Sequence, residues 1–399
     1  MKTIQGLAPL ASAPAARQAR GVAVARVRNA LEKDRFIKFQ AEVYRNDLHF
    51  IPPLLMERHD FLDPDRNPFF QHADVALFLA RRGREIVGRI AAIEDRNFNA
   101  FHKARTACFG LYESLNDQGV AAALFATARN WARSRGLDTL LGPMSFSTNH
   151  EVGLLVEGFD SDPYLLMPYN PRYYGELFEK CGLAKAKDLF AWERTAGTPP
   201  PERFTRIADK IRKHEEVTVR SANLRDFQGE VARIKEIYNA AWEENWGFVP
   251  MTDAEVDKLA EDLKWMVEPD LAIIAEHRGE PIAFALTVRD VNQALKHVKG
   301  RLTAFGLPIG LAKLLWYSRR IDRVRLMALG VKSGWRRRGI DAVLVVETIR
   351  RAHEHGYTGG EISWTLEDNH LVNRAIEATG CTRTKLYRVY ETPTDGLPC

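Results

Sequence analysis

Three arginines and a glycine, Arg336, Arg337, Arg338 and Gly339, stand between an apolar run that ends at Val331 and a helical pattern that opens at Gly339. Such a turn suits a pyrophosphate. The first amides of a helix have no acceptor inside it, the helix dipole favours negative charge at that end, and glycine lets a ligand come close to the backbone. The arginines add cations that pair well with phosphate oxygens. A run of basic residues by itself is commonly a solvated helix end. Its place at a strand-to-helix glycine turn is what points to an anion.

The same passage occurs twice. GVAAALFATARNWARSRGL runs from Gly119 and GIDAVLVVETIRRAHEHGY from Gly339, with second glycines at Gly136 and Gly356 in matching places. FIP at Phe50 pairs with FVP at Phe248, the turn at Gly83 with that at Gly279, and LFEKCG ending at Gly182 with AIEATG ending at Gly380. A repeat on this scale implies two domains of one type. The first copy has Asn116, Asp117 and Gln118 where the second has arginines, so an acid there repels phosphate and one anion site is expected. Each copy also holds an insert. The first covers much of Met144 to Asn170, and the second overlaps the apolar stretch Leu302 to Tyr317, flanked by Lys296, Lys299, Arg301, Arg319, Arg320 and Arg323.

The chain of 399 residues, 45% apolar and 27% charged, is long enough for two ordinary globular cores. A net charge of +5 is too slight to imply a polyanion partner, and no nucleic-acid recognition motif accompanies the basic clusters. The four cysteines, Cys108, Cys181, Cys381 and Cys399, lack metal-ligand spacing, which suggests reduced thiols, a cytoplasmic setting and no metal. Residues 1–24 read as a disordered leader, and RTAGTPPPE (194–202) as the linker between domains 25–193 and 203–399. The patterns predict a helix over Ala25 to Tyr44, a hairpin turning at Gly83, a strand from Thr106 and a helix from Gly119 to Arg135. In the second copy they predict a strand at Val217 to Ser221, a hairpin over Leu271 to Val291, a strand over Val324 to Val331, a helix over Gly339 to His355 and a strand over Glu361 to Thr365.

With Arg336, Gly339 and Asp341 set against Gln/Arg-x-x-Gly-x-Gly/Ala, and Asn369 eleven residues before Gly380, the sequence resembles the GNAT superfamily of acyl-CoA-dependent N-acyltransferases. The resemblance covers both copies and is similar to tandem GNAT enzymes. It implies an α/β fold of two tandem GNAT-like domains, each a mixed, mostly antiparallel twisted sheet with flanking helices. It also implies acyl-CoA as co-substrate: amides at Leu329 to Val331 on the pantetheine arm, the turn Arg336 to Asp341 (with Ile340) on the pyrophosphate, and Asn369 seating the arm. The reaction implied is direct attack of an amine on the thioester. Two departures stand out: Asp341 replaces Gly or Ala, and the family's tyrosine acid falls at Ile376.

For the base, Glu361 is the first candidate, because Glu361, Ser363 and Thr365 alternate onto one strand face. A strand-start carboxylate explains it equally well. His150, in the first insert, is the second, since a neutral imidazole suits removal of an ammonium proton; a lone histidine is more often structural. Tyr387 is a candidate acid, with a core role the alternative. Trp246 and Phe248 lie where the family grips its acceptor, and Trp316 lies in the second insert. That insert is too short to span a bilayer. It reads as a buried helix pair, or as an acyl-groove wall or an interfacial segment on the inner face of a membrane. The apolar, base-flanked insert also resembles the GNAT-type bacterial ceramide synthases, implying a long acyl chain and a sphingoid amine. A soluble-amine acetyltransferase and a non-catalytic acyl-CoA or lipid sensor are the alternatives.

Overall fold

The computed structural model describes residues 21–195 and 199–395. The first half supplies β1 (Val22–Arg26), β2 (Ala73–Arg82), β3 (Glu85–Asp95), β4 (Thr106–Ser114), β5 (Thr139–Gly142), β6 (Leu154–Glu157) and β7 (Ala184–Thr195). The second supplies β8 (Val217–Ser221), β9 (Val267–His277), β10 (Glu280–Arg289), β11 (Arg323–Val331), β12 (Gly359–Leu366) and β13 (Thr382–Pro393). All belong to one sheet. Its order is β1-β2-β3-β4-β5-β13-β7-β12-β11-β10-β9-β8, with β6 alongside β13. Among the described residues only β4/β5 and β11/β12 run parallel, and each of these pairs is bridged by a helix, Gln118–Ser134 or Ile340–Glu354. Each helix lays an apolar face on the sheet: Val120, Leu124, Phe125 and Ala128 in one, Ile340, Val343 and Leu344 in the other.

The last strands of the two copies trade places. β13 lies between β5 and β7, pairing Tyr390 with Gly142, while β7 pairs with β12, Glu193 opposite Glu361. The sheet is therefore continuous across the molecule.

Several expectations change. Residues 25–44 are not one helix: β1 runs into this segment, pairing Val24 with Ala80, and helices follow at Ala30–Lys38 and Gln40–Val43. VAVAR is too short for its alternation to outweigh the helical pattern that follows it. β1 begins inside the expected leader, of which 1–20 lie outside the described residues. The expected linker begins within β7 and ends where the helix Glu202–His214 starts, with 196–198 outside the described residues.

The parallel strands part beyond their paired ends, and the two halves treat the gap differently. In the first, Met144 N–H donates to Phe109 O at 2.8 Å, and a Cβ on Gly110 would lie 1.8 Å from Met144 O. The chain's own backbone fills that gap. Tyr174 Oη accepts from Ser114 N–H at 2.9 Å, and Asp117 accepts from the amides of Gly119 (2.9 Å) and Val120 (3.2 Å). In the second half, Met327 to Val331 and Ser363 to Leu366 diverge around open space.

The halves also meet at His72. Its Nδ1 lies 2.9 Å from Asp95 Oδ1, and its Nε2 3.1 Å from Glu255 Oε1, which belongs to the helix Asp253–Leu263 of the second half. Burial alone lowers the imidazole's pKa, but the two carboxylates outweigh it and raise it to about 9. A folded pKa above the unfolded ~6.5 means the bridge's stabilisation is complete below pH 6.5 and is lost as pH rises through about 9. Urea midpoints of wild type and His72→Asn should thus differ most below pH 6.5 and converge above pH 9. A gap that does not depend on pH would refute the bridge.

The second insert forms the helix Ile309–Ser318. Leu314 packs with Leu165, Leu263, Val288, Val291, Ala294 and Val298, a burial worth about 1.5–3 kcal/mol. No helix among the described residues is long and apolar enough to cross a membrane.

Candidate active site

A cavity of about 1180 Å³ runs from the arginine turn into the cleft between the halves. At the turn, Gly339 has φ +79° and caps the helix Ile340–Glu354. The first helical bond goes from Val343 N–H to Gly339 O (3.1 Å), so the amides just before it lack helical partners. A Cβ on Gly339 would meet Ile211 Cδ1 at 2.6 Å, so a larger residue would disturb the turn twice over.

The three arginines part company. Arg336 reaches the cavity edge but also binds Glu244 (2.7 Å) and the carbonyl of Ala241 (2.9 Å), tying the turn to the helix Phe227–Trp242. Arg337 is exposed on the cavity rim, with φ +62°, and has no carboxylate partner among the described residues. Arg338 turns away. It pairs with Glu215 at 2.9 Å and stacks on Trp335, so the sequence expectation that it faces phosphate is corrected. Asp341, Leu329, Val331 and Asn369 all line the cavity; Ile340 is buried behind the turn. Asn369 also caps the helix His370–Ala378.

His150 lines the same cavity from the other half. Its loop is docked on the second copy: Thr148 Oγ1 donates to Gly247 O at 2.6 Å, Asn149 Nδ2 to Val249 O at 3.2 Å, and Tyr238 Oη to Asn149 Oδ1 at 2.6 Å. The imidazole sits edge-on to Phe61, Phe69 and Phe146, with Nδ1 3.1 Å from Ser147 Oγ. Burial, aided by the Arg58 cation and opposed by Glu255, lowers its pKa to about 4. It is neutral at pH 7. Trp246 and Phe248 also line this part of the cavity.

Glu361 and Tyr387 are elsewhere. Glu361 is buried and absent from the cavity wall, where Ser363 and Arg325 stand instead. Ser363 Oγ donates to Glu361 Oε1 at 2.5 Å, and Arg325 Nε to Ser363 Oγ at 2.9 Å. Burial raises the Glu361 pKa, with Arg325 opposing. Glu361 and Ser363 do share one face of β12, but Glu361 pairs with Arg325 where β11 and β12 are still joined, before the point at which the strands part. Tyr387 is wholly buried, its hydroxyl without a hydrogen-bond partner among the described residues. Trp316 is 56% exposed on the outer side of its helix, under Arg320, and forms no part of the cavity.

Sequence reasoning missed Arg58, Arg325 and Tyr238. Nothing local marks the two arginines, which reach the cavity through tertiary packing. Tyr238 and Trp242 form an i,i+4 aromatic pair (4.6 Å between centroids), a signal the sequence did hold. Among the described residues, no three His, Cys, Asp or Glu side chains gather as a metal site requires.

No family profile matches the chain. It is 38% identical over 375 residues to a protein of Caulobacter vibrioides named bacterial ceramide synthase, covering 92% of this chain and 96% of that one. It is 36% identical over 376 residues to protein YghO of Escherichia coli, covering 92% and 94%. Among solved structures, a tandem GNAT protein from the clavulanic acid biosynthesis pathway superposes with a TM-score of 0.53 at 12% identity, over 94% of this chain and 99% of that one. A GCN5-related N-acetyltransferase from Sphaerobacter thermophilus does so with 0.51 at 14%, over 95% and 98%. With its duplicated fold, its open strand gap and these relatives, the chain has the fold of tandem GNAT proteins and belongs to the family of N-acyltransferases that includes the Caulobacter bacterial ceramide synthase.

Proposed function

We propose that this enzyme transfers a long acyl chain from CoA to the amine of a lipid, giving a ceramide-type amide. The observation that carries the reading is the cavity, whose ~1180 Å³ exceeds the roughly 300–1,000 Å³ usual for small-molecule pockets. Beyond the turn its walls include Leu166, Leu259, Met266, Leu286 and Leu295, from the cluster into which Leu314 of the second insert packs. An acetyl group has no use for such a wall. The name of the Caulobacter relative supports the same substrates.

In this reading the amides at Gly339 to Asp341 and the Arg337 cation hold the pyrophosphate, and the free edge of β11 takes the arm. The amine enters in neutral form, its nitrogen attacks the thioester carbon, His150 accepts the proton that the nitrogen sheds as the C–N bond forms, and the C–S bond breaks to release the thiolate, which is protonated from water. The imidazolium then returns its proton to solvent. Burial that keeps His150 unprotonated also keeps the attacking amine away from bulk water.

The test is release of free CoA from acyl-CoAs, acetyl to palmitoyl, with and without a long-chain amino alcohol. Amine-dependent release that favours the long chains is expected. Release with acetyl-CoA alone would replace the lipid reading with a small-amine acetyltransferase, and saturable binding with no release would leave a sensor.

A further inference from the structure

The second insert carries a surface that neither the fold nor the cavity requires. Phe305 is 99% exposed, and Leu307, Ile309, Leu311, Leu315 and Trp316 are each at least 40% exposed. Six of the fifteen large hydrophobic side chains exposed among the described residues thus fall within one stretch of chain. Soluble surfaces seldom group so many, and a contiguous patch marks a binding face.

Backbone geometry makes the placement of Phe305 deliberate. It sits with Gly306 at the tip of a tight hairpin closed by Ala304 and Leu307, whose amides and carbonyls bond reciprocally at 2.9 and 3.0 Å. Both tip residues are left-handed, Phe305 at φ +53° and Gly306 at +76°. A bulky side chain is an outlier there, where glycine or asparagine costs less. The tip accepts that strain and gains nothing inside the protein from the ring.

Charge identifies what the patch meets. From Asn292 to Ile321 the chain has no Asp or Glu. Lys299, Arg301, Lys313, Arg319 and Arg320 are exposed around the apolar side chains, without an acidic partner among the described residues, and Arg320 lies 4.9 Å over the Trp316 ring. Apolar side chains ringed by unpaired cations complement a surface that is oily within and anionic at its rim. A second copy of the same face would set cation against cation.

We infer that residues 299–320 dock the enzyme on an anionic lipid bilayer, Phe305, Leu307, Leu315 and Trp316 entering the headgroup boundary and the five cations meeting lipid phosphates. The opposite side of the same helix seats Leu314 in the cluster that walls the cavity, so the docking face backs directly onto the acyl wall. The inference rests on the lipid reading of the cavity for its purpose, but the surface itself does not.

The experiment is co-sedimentation of the full chain with phosphatidylcholine vesicles and with phosphatidylcholine/phosphatidylglycerol vesicles, at low and high salt. Wild type is expected to bind the anionic vesicles, less so as salt rises. Phe305→Gly, which fits the left-handed tip, should keep or raise the unfolding temperature yet bind about tenfold more weakly. Arg319→Gln/Arg320→Gln should lose about tenfold on anionic vesicles alone. Failure of wild type to bind, binding by Phe305→Gly equal to wild type, or a homodimer in sedimentation velocity that Phe305→Gly dissociates would each overturn docking. Turnover with a detergent-dispersed acceptor separates the two readings: vesicle binding lost with turnover intact sinks docking alone, and binding kept without turnover sinks the catalytic reading alone.

Discussion

His150→Gln is expected to lower kcat by about 10²–10⁴-fold while KM for acyl-CoA hardly moves. The imidazole reaches the shared cavity from the first copy as a neutral base, with Nδ1 beside Ser147 Oγ and aromatic rings around it. Glutamine keeps the size and polarity but cannot take a proton. Steady-state kinetics with saturating amine would read this directly, and a fall of less than severalfold would remove His150 from the chemistry. The pH dependence gives a second reading. With the His150 pKa at about 4, acid should not switch off the wild-type base until well below neutrality, and the rate between should follow ionisation of the amine itself. For the fold the sign is opposite to that at His72. The unfolded imidazole binds its proton near 6.5 and the folded one only near 4, so acidification across that window costs stability.

Arg337→Glu should raise KM for acyl-CoA by roughly 10–100-fold, the loss of a charge-assisted bond to phosphate plus a repulsion, with kcat at saturation little changed. Arg337 is the arginine of the three whose charge no carboxylate of the described residues shares. Arg336 is partly committed to Glu244 and the Ala241 carbonyl, and Arg338 to Glu215, so Arg338→Glu should have the smaller effect. Equal effects at 337 and 338 would show that the turn's general potential, and not one side chain, holds the ligand. Raising the salt concentration should weaken binding in wild type more than in Arg337→Glu.

The turn was readable in the sequence because everything that makes it an anion site is local: a strand end, a left-handed glycine and a helix start within a few residues. Both hairpins, at Gly83 and Gly279, were readable for the same reason. Glu361 was misjudged because alternation gives the face of a strand but not the point along it where the neighbouring strand departs: Glu361 is still paired with Arg325, and the gap opens only beyond Ile362. Arg338 was misjudged because its partner, Glu215, lies at the end of a helix whose docking no local pattern announces. The strand exchange was illegible as well: the repeat gives two copies but is silent on which copy each last strand completes.

That exchange bears on how the molecule could have come to be and how it can still change. Once β7 and β13 had crossed, neither copy could be deleted without leaving the other an open sheet edge, the kind of edge that invites aggregation. The duplication is in that sense locked. Freedom to vary then remains in the segments that join strands, and it is there, in 144–170 and 302–317, that the two copies differ most. The copy whose own gap is filled by its backbone lends such a segment to the wall of its neighbour's cavity, so on the proposed reading the two copies would divide the labour of one reaction centre.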